Sequence, residues 1–282
     1  MGIIASCGEN GSSQPPLTDN DSTGISTSGA IMLQGNIVVI PPPALLSHII
    51  TSESIPFESA ALSDPNHPEQ WIHESKKALN LGVLGADLSY VINHKKSNEV
   101  PIYLAGIRKL TEDLGISQDV KPELLNQIEA GINDPHLMLG LQSVFFHNLE
   151  DYLKAKNRNH INTCILLGGW VESLHHLAST TDTTRNTSLH QLLAEQCYSV
   201  QGIRALANSI QQESLGEVKN AILSLCYVMD RIPHAYEYNE PLHNSVESIS
   251  YLRSNSNVQC TPEILAEVIR RVGDIRKLIL TP

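Results

Sequence analysis

The chain has 282 residues, 41% of them hydrophobic but only 5% aromatic, with two Trp and three Phe. A core of that composition is built mainly from Leu, Ile, Val and Ala, which favours helices over sheets. The 30 acidic residues outnumber 19 basic ones for a formal charge of −11; Lys76-Lys77, Lys95-Lys96 and Arg270-Arg271 form no segregated basic patch, so nucleic acid is not expected as a partner.

Residues 4–7, Ile-Ala-Ser-Cys, read like the end of a bacterial lipoprotein leader, in which small residues precede a Cys that is acylated after cleavage. Such a leader needs a basic start and an apolar run of about 7–15 residues. Only Met1, Gly2 and Ile3 stand upstream, so this reading expects a truncated, misplaced or trimmed start. The same residues satisfy Met-Gly-x-x-x-Ser, with Gly2 as myristate acceptor and Cys7 as a second acylation site. Both readings end at a membrane surface, and the alternative is a disordered terminus without lipid. Residues 8–29 are Gly, Ser, Thr, Asn, Asp, Gln and Pro with almost no apolar side chains. They are expected to stay disordered and to act as a tether. The organisation predicted is thus a lipid-attachment site and linker over 1–29 and one helical domain over 30–282. No run approaches the ~20 apolar residues of a membrane span.

Asn36-Ile37-Val38-Val39-Ile40 is the one segment expected to be extended, and Pro41-Pro42-Pro43 stops it. A short helix is expected after these prolines, over 44–50. Periodicity then predicts helices over 70–94, 101–114, 121–130, 135–156, 161–179, 188–212, 215–231, 245–255 and 262–280. Ser117 and Asp134 are candidate N-caps; Gly115 and Gly131 are candidate terminators. In the 135–156 segment Leu137, Leu141, Val144, Phe145, Leu149 and Tyr152 make one apolar stripe. Residues 180–187 are all small, charged or polar and are expected to form an exposed connector. The fold class predicted is all-α, an antiparallel multi-helix bundle. Cys164, Cys197 and Cys226 lie in apolar helical stretches and read as buried free thiols, with no CxxC pair anywhere.

The run Leu81-Gly82-Val83-Leu84-Gly85-Ala86-Asp87-Leu88-Ser89-Tyr90, the stretch 103–115, and Gly168-Gly169-Trp170-Val171-Glu172 resemble an uncharacterised family of helical lipoproteins from Bacteroidota-type bacteria. That resemblance spans most of residues 40–230. It implies a lipid on Cys7 rather than on Gly2, a place in the bacterial cell envelope, and no known activity or cofactor.

Small residues at Ala78, Gly82, Gly85, Ala86 and Ser89, and at Gly168 and Gly169, predict helix faces that let a neighbour approach closely. Asn80, Asp87 and His94 repeat every seven residues and so lie along one side of their helix. With Tyr90, Trp170 and Glu172 they are the candidate ligand-binding residues; the alternative is a satisfied buried Asp that sets register. Glu172-x-x-His175 and Glu240-x-x-His243 have the i, i+3 spacing of di-iron carboxylate bundles, and Glu150 and Glu74 are candidate further ligands. Pro241 puts the second pair at a helix start or in a loop. No phosphate loop, dinucleotide fingerprint or nucleophile elbow is present in the sequence, so no catalytic residue is assigned. Two readings stand: a membrane-tethered helical module that binds a partner protein or small ligand, and a metal–carboxylate bundle.

Overall fold

The computed structural model describes residues 30–33, 36–116, 123–184, 186–237, 242–244, 249–251 and 255–282. Cys7, the tether and the Ser117 cap lie outside them. The architecture is an all-α multi-helix bundle, as composition and periodicity predict. None of its described helices is long and apolar enough to cross a membrane.

Strands β1 (Ala30–Leu33) and β2 (Asn36–Val39) pair antiparallel. Helix α1 (Pro43–Ser52) follows, with Pro43 at its first position, where a missing N–H costs nothing. Two short 3-10 turns, Ser59–Ala61 and Pro68–Gln70, lead into α2 (Glu74–Asn93), which begins four residues later than predicted. Next come α3 (Val100–Asp113), α4 (Glu123–Ala130), α5 (Pro135–Ala155) and α6 (Asn159–Thr184). Gly115 after α3 has φ +68°, the left-handed conformation that ends helices. The Asp134 carboxylate caps α5 by accepting from Leu137 N–H at 3.1 Å.

Helix α6 corrects the connector expected over 180–187. The hydroxyl of Thr180 donates to the carbonyl of His176 (3.0 Å) and that of Thr181 to Leu177 (2.7 Å). These back-bonds satisfy the threonines within the helix, so it runs on to Thr184. The helix predicted over 188–212 is instead α7 (Thr187–Glu195), a 3-10 turn over Gln196–Ser199, and α8 (Val200–Ser209). Helix α9 spans Gly216–Met229 and α10 spans Pro262–Leu280.

Between α9 and α10 the described residues of the predicted 245–255 helix, 249–251 and 255, are extended instead. They belong to a ribbon in which β3 (His234–Glu237) pairs with β6 (Asn255–Val258) and β4 (Leu242–Asn244) with β5 (Ile249–Tyr251), all antiparallel. Ser and Asn dominate this stretch, and their side chains compete with helical backbone hydrogen bonds. The 36–40 segment is therefore not the only extended one.

The centre of the bundle is the α2–α6 pair. Every residue of α2 from Ala78 to Ile92 is buried, so this helix is enclosed on all sides rather than amphipathic. A Cβ on Gly82 would stand 2.0 Å from the Ile165 carbonyl oxygen, and one on Gly168 would stand 1.9 Å from that of Leu79. The glycines thus do what their spacing predicts and bring the two backbones into contact. On α5 the buried face is Met138, Gln142, Phe145, Leu149 and Leu153, while Leu137 and Val144 are about half exposed, at 49% and 47%. Of the stripe read from the sequence, Phe145 and Leu149 are buried as expected, while Leu137 and Val144 face solvent. Cys164, Cys197 and Cys226 are buried free thiols, and burial pushes Cys164 up to about 12.

Candidate functional site

Two polar features flank the α2–α6 pair. The first is a sealed network around Asp87. Asp87 and Glu172 are both fully buried. One Asp87 oxygen accepts from the Ser63 N–H at 3.1 Å and, in a short contact, from the Ser63 hydroxyl. The other lies 2.9 Å from His176 Nε2. The Glu172 carboxylate is gripped by Arg276 of α10, whose Nε lies 2.9 and 2.8 Å from the two oxygens and whose Nη2 lies 2.8 Å from Oε1. Arg276 also donates to the Ala61 carbonyl at 3.1 Å, and the Tyr103 hydroxyl to that of Ser63 at 3.0 Å. The network therefore pins the segment between α1 and α2 onto the bundle.

Its charges are closely balanced. Desolvation pushes Asp87 up to about 6; desolvation and the Asp87 charge push Glu172 up to about 7. Desolvation lowers His176 to about 4, so its ring is neutral near pH 7. With Arg276 as the one cation, two ionised carboxylates leave an excess negative charge that a proton can remove.

The remaining candidates fall into place around this network. Tyr90 stacks between His176 and His94, with ring centroids 4.5 and 4.1 Å away, and its oxygen accepts from Glu58 N–H at 3.2 Å. His94 Nδ1 lies 2.9 Å from the Tyr90 carbonyl, while its buried Nε2 has no partner. Asn80 does not join them: its amide donates to Ile279 O at 3.1 Å, alongside Trp71 Nε1 to Leu280 O at 3.2 Å and Lys76 Nζ to Leu278 O at 2.5 Å. These α2 residues and the Trp71 just before it cap the C-terminus of α10, whose carbonyls carry the negative end of the helix dipole.

Among the described residues the metal ligand set read from the sequence is not brought together. His176, four residues after Glu172, meets the carboxylates; His175 is half-buried beside it, with ring centroids 6.5 Å apart. Desolvation and the Arg276 charge push His175 down to about 3. Glu240 lies outside the described residues, and His243 falls on β4, so that pair is not an i, i+3 helical pair. Glu150 pairs with Lys154 at 2.5 Å, and Glu74 with Arg158 and His160. Asp87, Glu172 and His176 do offer three ligand atoms within 4.8 Å of one another. A cation there would have to displace Arg276 from both Glu172 oxygens and Ser63 from Asp87.

The second feature is a cavity of about 210 Å³ among the N-terminus of α1, α2, α5 and α6. Helix α2 presents Asp87 on one side and Gly82, Gly85 and Ser89 on the other, where they line this cavity. A Cβ on Gly85 would stand 2.5 Å from the tip of the Phe146 ring, which would have to move aside. Buried Gln142 of α5 braces the wall, donating to the Gly85 carbonyl at 2.6 Å and accepting from the Ser89 hydroxyl at 3.2 Å. Ile40, Ile165, Leu166 and Leu149 supply apolar surface, and exposed His147 marks the side open to solvent.

Two polar groups of this wall are left over. Trp170 is 1% exposed, and its indole N–H has no acceptor. Asn162 is 7% exposed, and no hydrogen bond ties its side chain to the described residues. Buried polar groups are nearly always paired, so the orphaned Trp170 N–H makes the surroundings of this cavity the candidate ligand site. The sequence pointed to Trp170 through the GGW run; Asn162 and Gln142 carried no signal. A larger groove of about 620 Å³ between α7, α10 and β6 is a surface valley whose walls include exposed Thr187, Pro262 and Arg270.

Fold and site together define a helical bundle with one buried ion network and one part-open, mainly apolar cavity. No family model, curated protein or solved structure matches the chain.

Proposed function

We propose that the protein is a membrane-tethered binding module whose α2–α5–α6 cavity takes a small, mainly apolar ligand. In this reading residues 1–29 are the leash and Cys7 carries the lipid that holds the folded body in a bacterial cell envelope. The observation that carries the ligand reading is a part-open, mainly apolar cavity whose lining includes Trp170, with its buried and partnerless indole N–H. The cavity of about 210 Å³ equals roughly seven waters at ~30 Å³ each, which fits a small molecule rather than a side of a partner protein.

The test uses the two tryptophans as paired reporters. Trp71 Nε1 is hydrogen-bonded to Leu280 O at 3.2 Å and is not part of the cavity wall, so its indole resonance is an internal control. A fragment screen in solution is expected to yield compounds that shift the Trp170 indole N–H and leave that of Trp71 in place. A screen in which no compound moves Trp170 removes the proposal. Mass spectrometry of the N-terminus from native membranes tests the anchor, and unmodified residues there remove it.

A second reading, a metal held by Asp87, Glu172 and His176, has the proximity of their ligand atoms in its favour. The Arg276 guanidinium on both Glu172 oxygens weighs against it. Stoichiometric iron, manganese or zinc that raises Tm would establish it; substoichiometric metal without effect on Tm would dismiss it.

A further inference from the structure

We infer that Phe146 of α5 is the residue that sets the size of what this cavity admits, limiting it to a neutral, apolar molecule of about the bulk of benzene. The inference rests on the cavity being a ligand site and adds which side chain decides what enters it.

The two helices that face each other here contribute unequally. Helix α2 gives the wall Gly82, Gly85 and Ser89, so it sends no bulky side chain into the space, and the helix opposite decides how much of that space is filled. On α5 two adjacent phenylalanines divide. Phe145 is buried in the core, whereas Phe146 is half-buried and lines the cavity; their rings meet edge-on with centroids 5.3 Å apart. The tip of the Phe146 ring, Cζ, lies 2.5 Å from the point a Cβ on Gly85 would occupy. The ring thus reaches from α5 to α2 and ends in the notch that the glycine leaves. It has no polar atom to anchor it, so packing alone holds it there.

Size and polarity of the ligand follow from what remains. An apolar cavity of about 150 Å³ stays dry and takes benzene, and this one, at about 210 Å³, has room for a single ring. A larger molecule would have to share the space with the Phe146 phenyl group, and overpacking a filled site is unfavourable. An ionic ligand would give up its hydration in a mainly apolar space whose lining carboxylate, Glu150, already has Lys154 as its counter-ion.

The experiment compares two neutral probes, benzene and naphthalene, on the full chain and on variants, with binding measured by calorimetry and by the rise in Tm that a ligand produces. The wild-type protein is expected to favour benzene by about tenfold or more. Phe146→Ala removes one ring's bulk from the wall and is expected to tighten naphthalene by about tenfold or more. Leu166→Ala, which trims the other half-buried apolar residue of the lining, is the control and is expected to leave the preference for benzene in place. Should Phe146→Ala fail to fold by circular dichroism, Phe146→Leu, which lacks the ring tip opposite Gly85, makes the same comparison. Equal binding of the two probes by the wild-type protein, no gain for naphthalene in the Phe146 variant, or an equal gain in Leu166→Ala overturns the role of Phe146 while leaving the cavity a ligand site. No binding of either probe by any of these proteins, together with a Trp170 resonance that no fragment moves, overturns both.

Discussion

Asp87 and Ser89 stand two positions apart on α2, yet they face regions of opposite character. On the Asp87 side two carboxylates, a guanidinium, an imidazole and the Ser63 hydroxyl satisfy one another with no solvent contact for the acids. On the Ser89 side the helices stand apart, and an indole and an amide are left without partners. The difference teaches that burial of polar residues does not by itself mark a binding site. A closed set of partners is scaffolding, and an open one is a place for something else.

Breaking the closed side is expected to have the largest effect. Arg276→Met leaves Glu172 buried without its cation and should cost about 3–5 kcal/mol of unfolding free energy, measured by denaturant titration. Pairing it with Glu172→Met removes both charges and should recover most of that loss. A double variant as unstable as the single one would mean that the network is not a self-contained ion pair. Gly168→Ala attacks the joint on which both regions depend. Its Cβ would meet the Leu79 carbonyl at 1.9 Å, so the helices must part, at a cost of about 3 kcal/mol.

The network also predicts a pH profile. Burial raises Asp87 and Glu172 from 3.8 and 4.5 to about 6 and about 7, so the folded state holds protons that the unfolded chain has released. Their contribution is full below the unfolded values and is lost as pH rises through the folded ones. His175 and His176 are lowered from 6.5 to about 3 and about 4, so theirs is full above 6.5 and is lost as pH falls. Over the overlap the slopes oppose and the wild-type profile should be nearly flat. Glu172→Gln removes one of the two carboxyl groups that offset the histidines. Its stability should then climb with pH, by up to about 1.4 kcal/mol per unit, between about pH 4.5 and 6. A profile for that variant as flat as the wild type would contradict the proton balance assigned to the network.

The smallest effect sharpens the open side. Trp71→Phe gives up a hydrogen bond to Leu280, whereas Trp170→Phe gives up none. In the absence of ligand the first should therefore destabilise by about 1 kcal/mol more than the second. Equal losses would mean that the Trp170 N–H is already satisfied and that the wall has no vacancy there.

Much of the fold was legible because apolar spacing reports what a helix must hide. The reading slipped where a local rule competed with it. On α5 the apolar stripe correctly includes Phe145 and Leu149, but Met138 and Gln142 are buried in place of Leu137 and Val144, because burying Gln142 depends on partners on α2 that spacing does not reveal. Thr180 and Thr181 read as the start of a loop, yet their hydroxyls bond helical carbonyls. At the site, Glu172 was found but matched with His175. An i, i+4 neighbour, His176, is the one turned toward Asp87. Arg276 was missed although a signal existed: it sits on α10 beside the buried positions Val272, Ile275 and Ile279, where an unpaired cation would be costly.

From the sequence alone came the helical class, close-packing faces at Gly82 and Gly168, the buried thiols, and Asp87 and Glu172 as candidate residues. Those are local properties: a residue's size, polarity and spacing are written in its neighbours along the chain. Which polar groups find partners is a different matter, because the partner of Glu172 lies 104 positions away and that of Asn80 lies 199 away. Only the packed structure decided that Asp87 is closed off while Trp170 and Asn162 are left open.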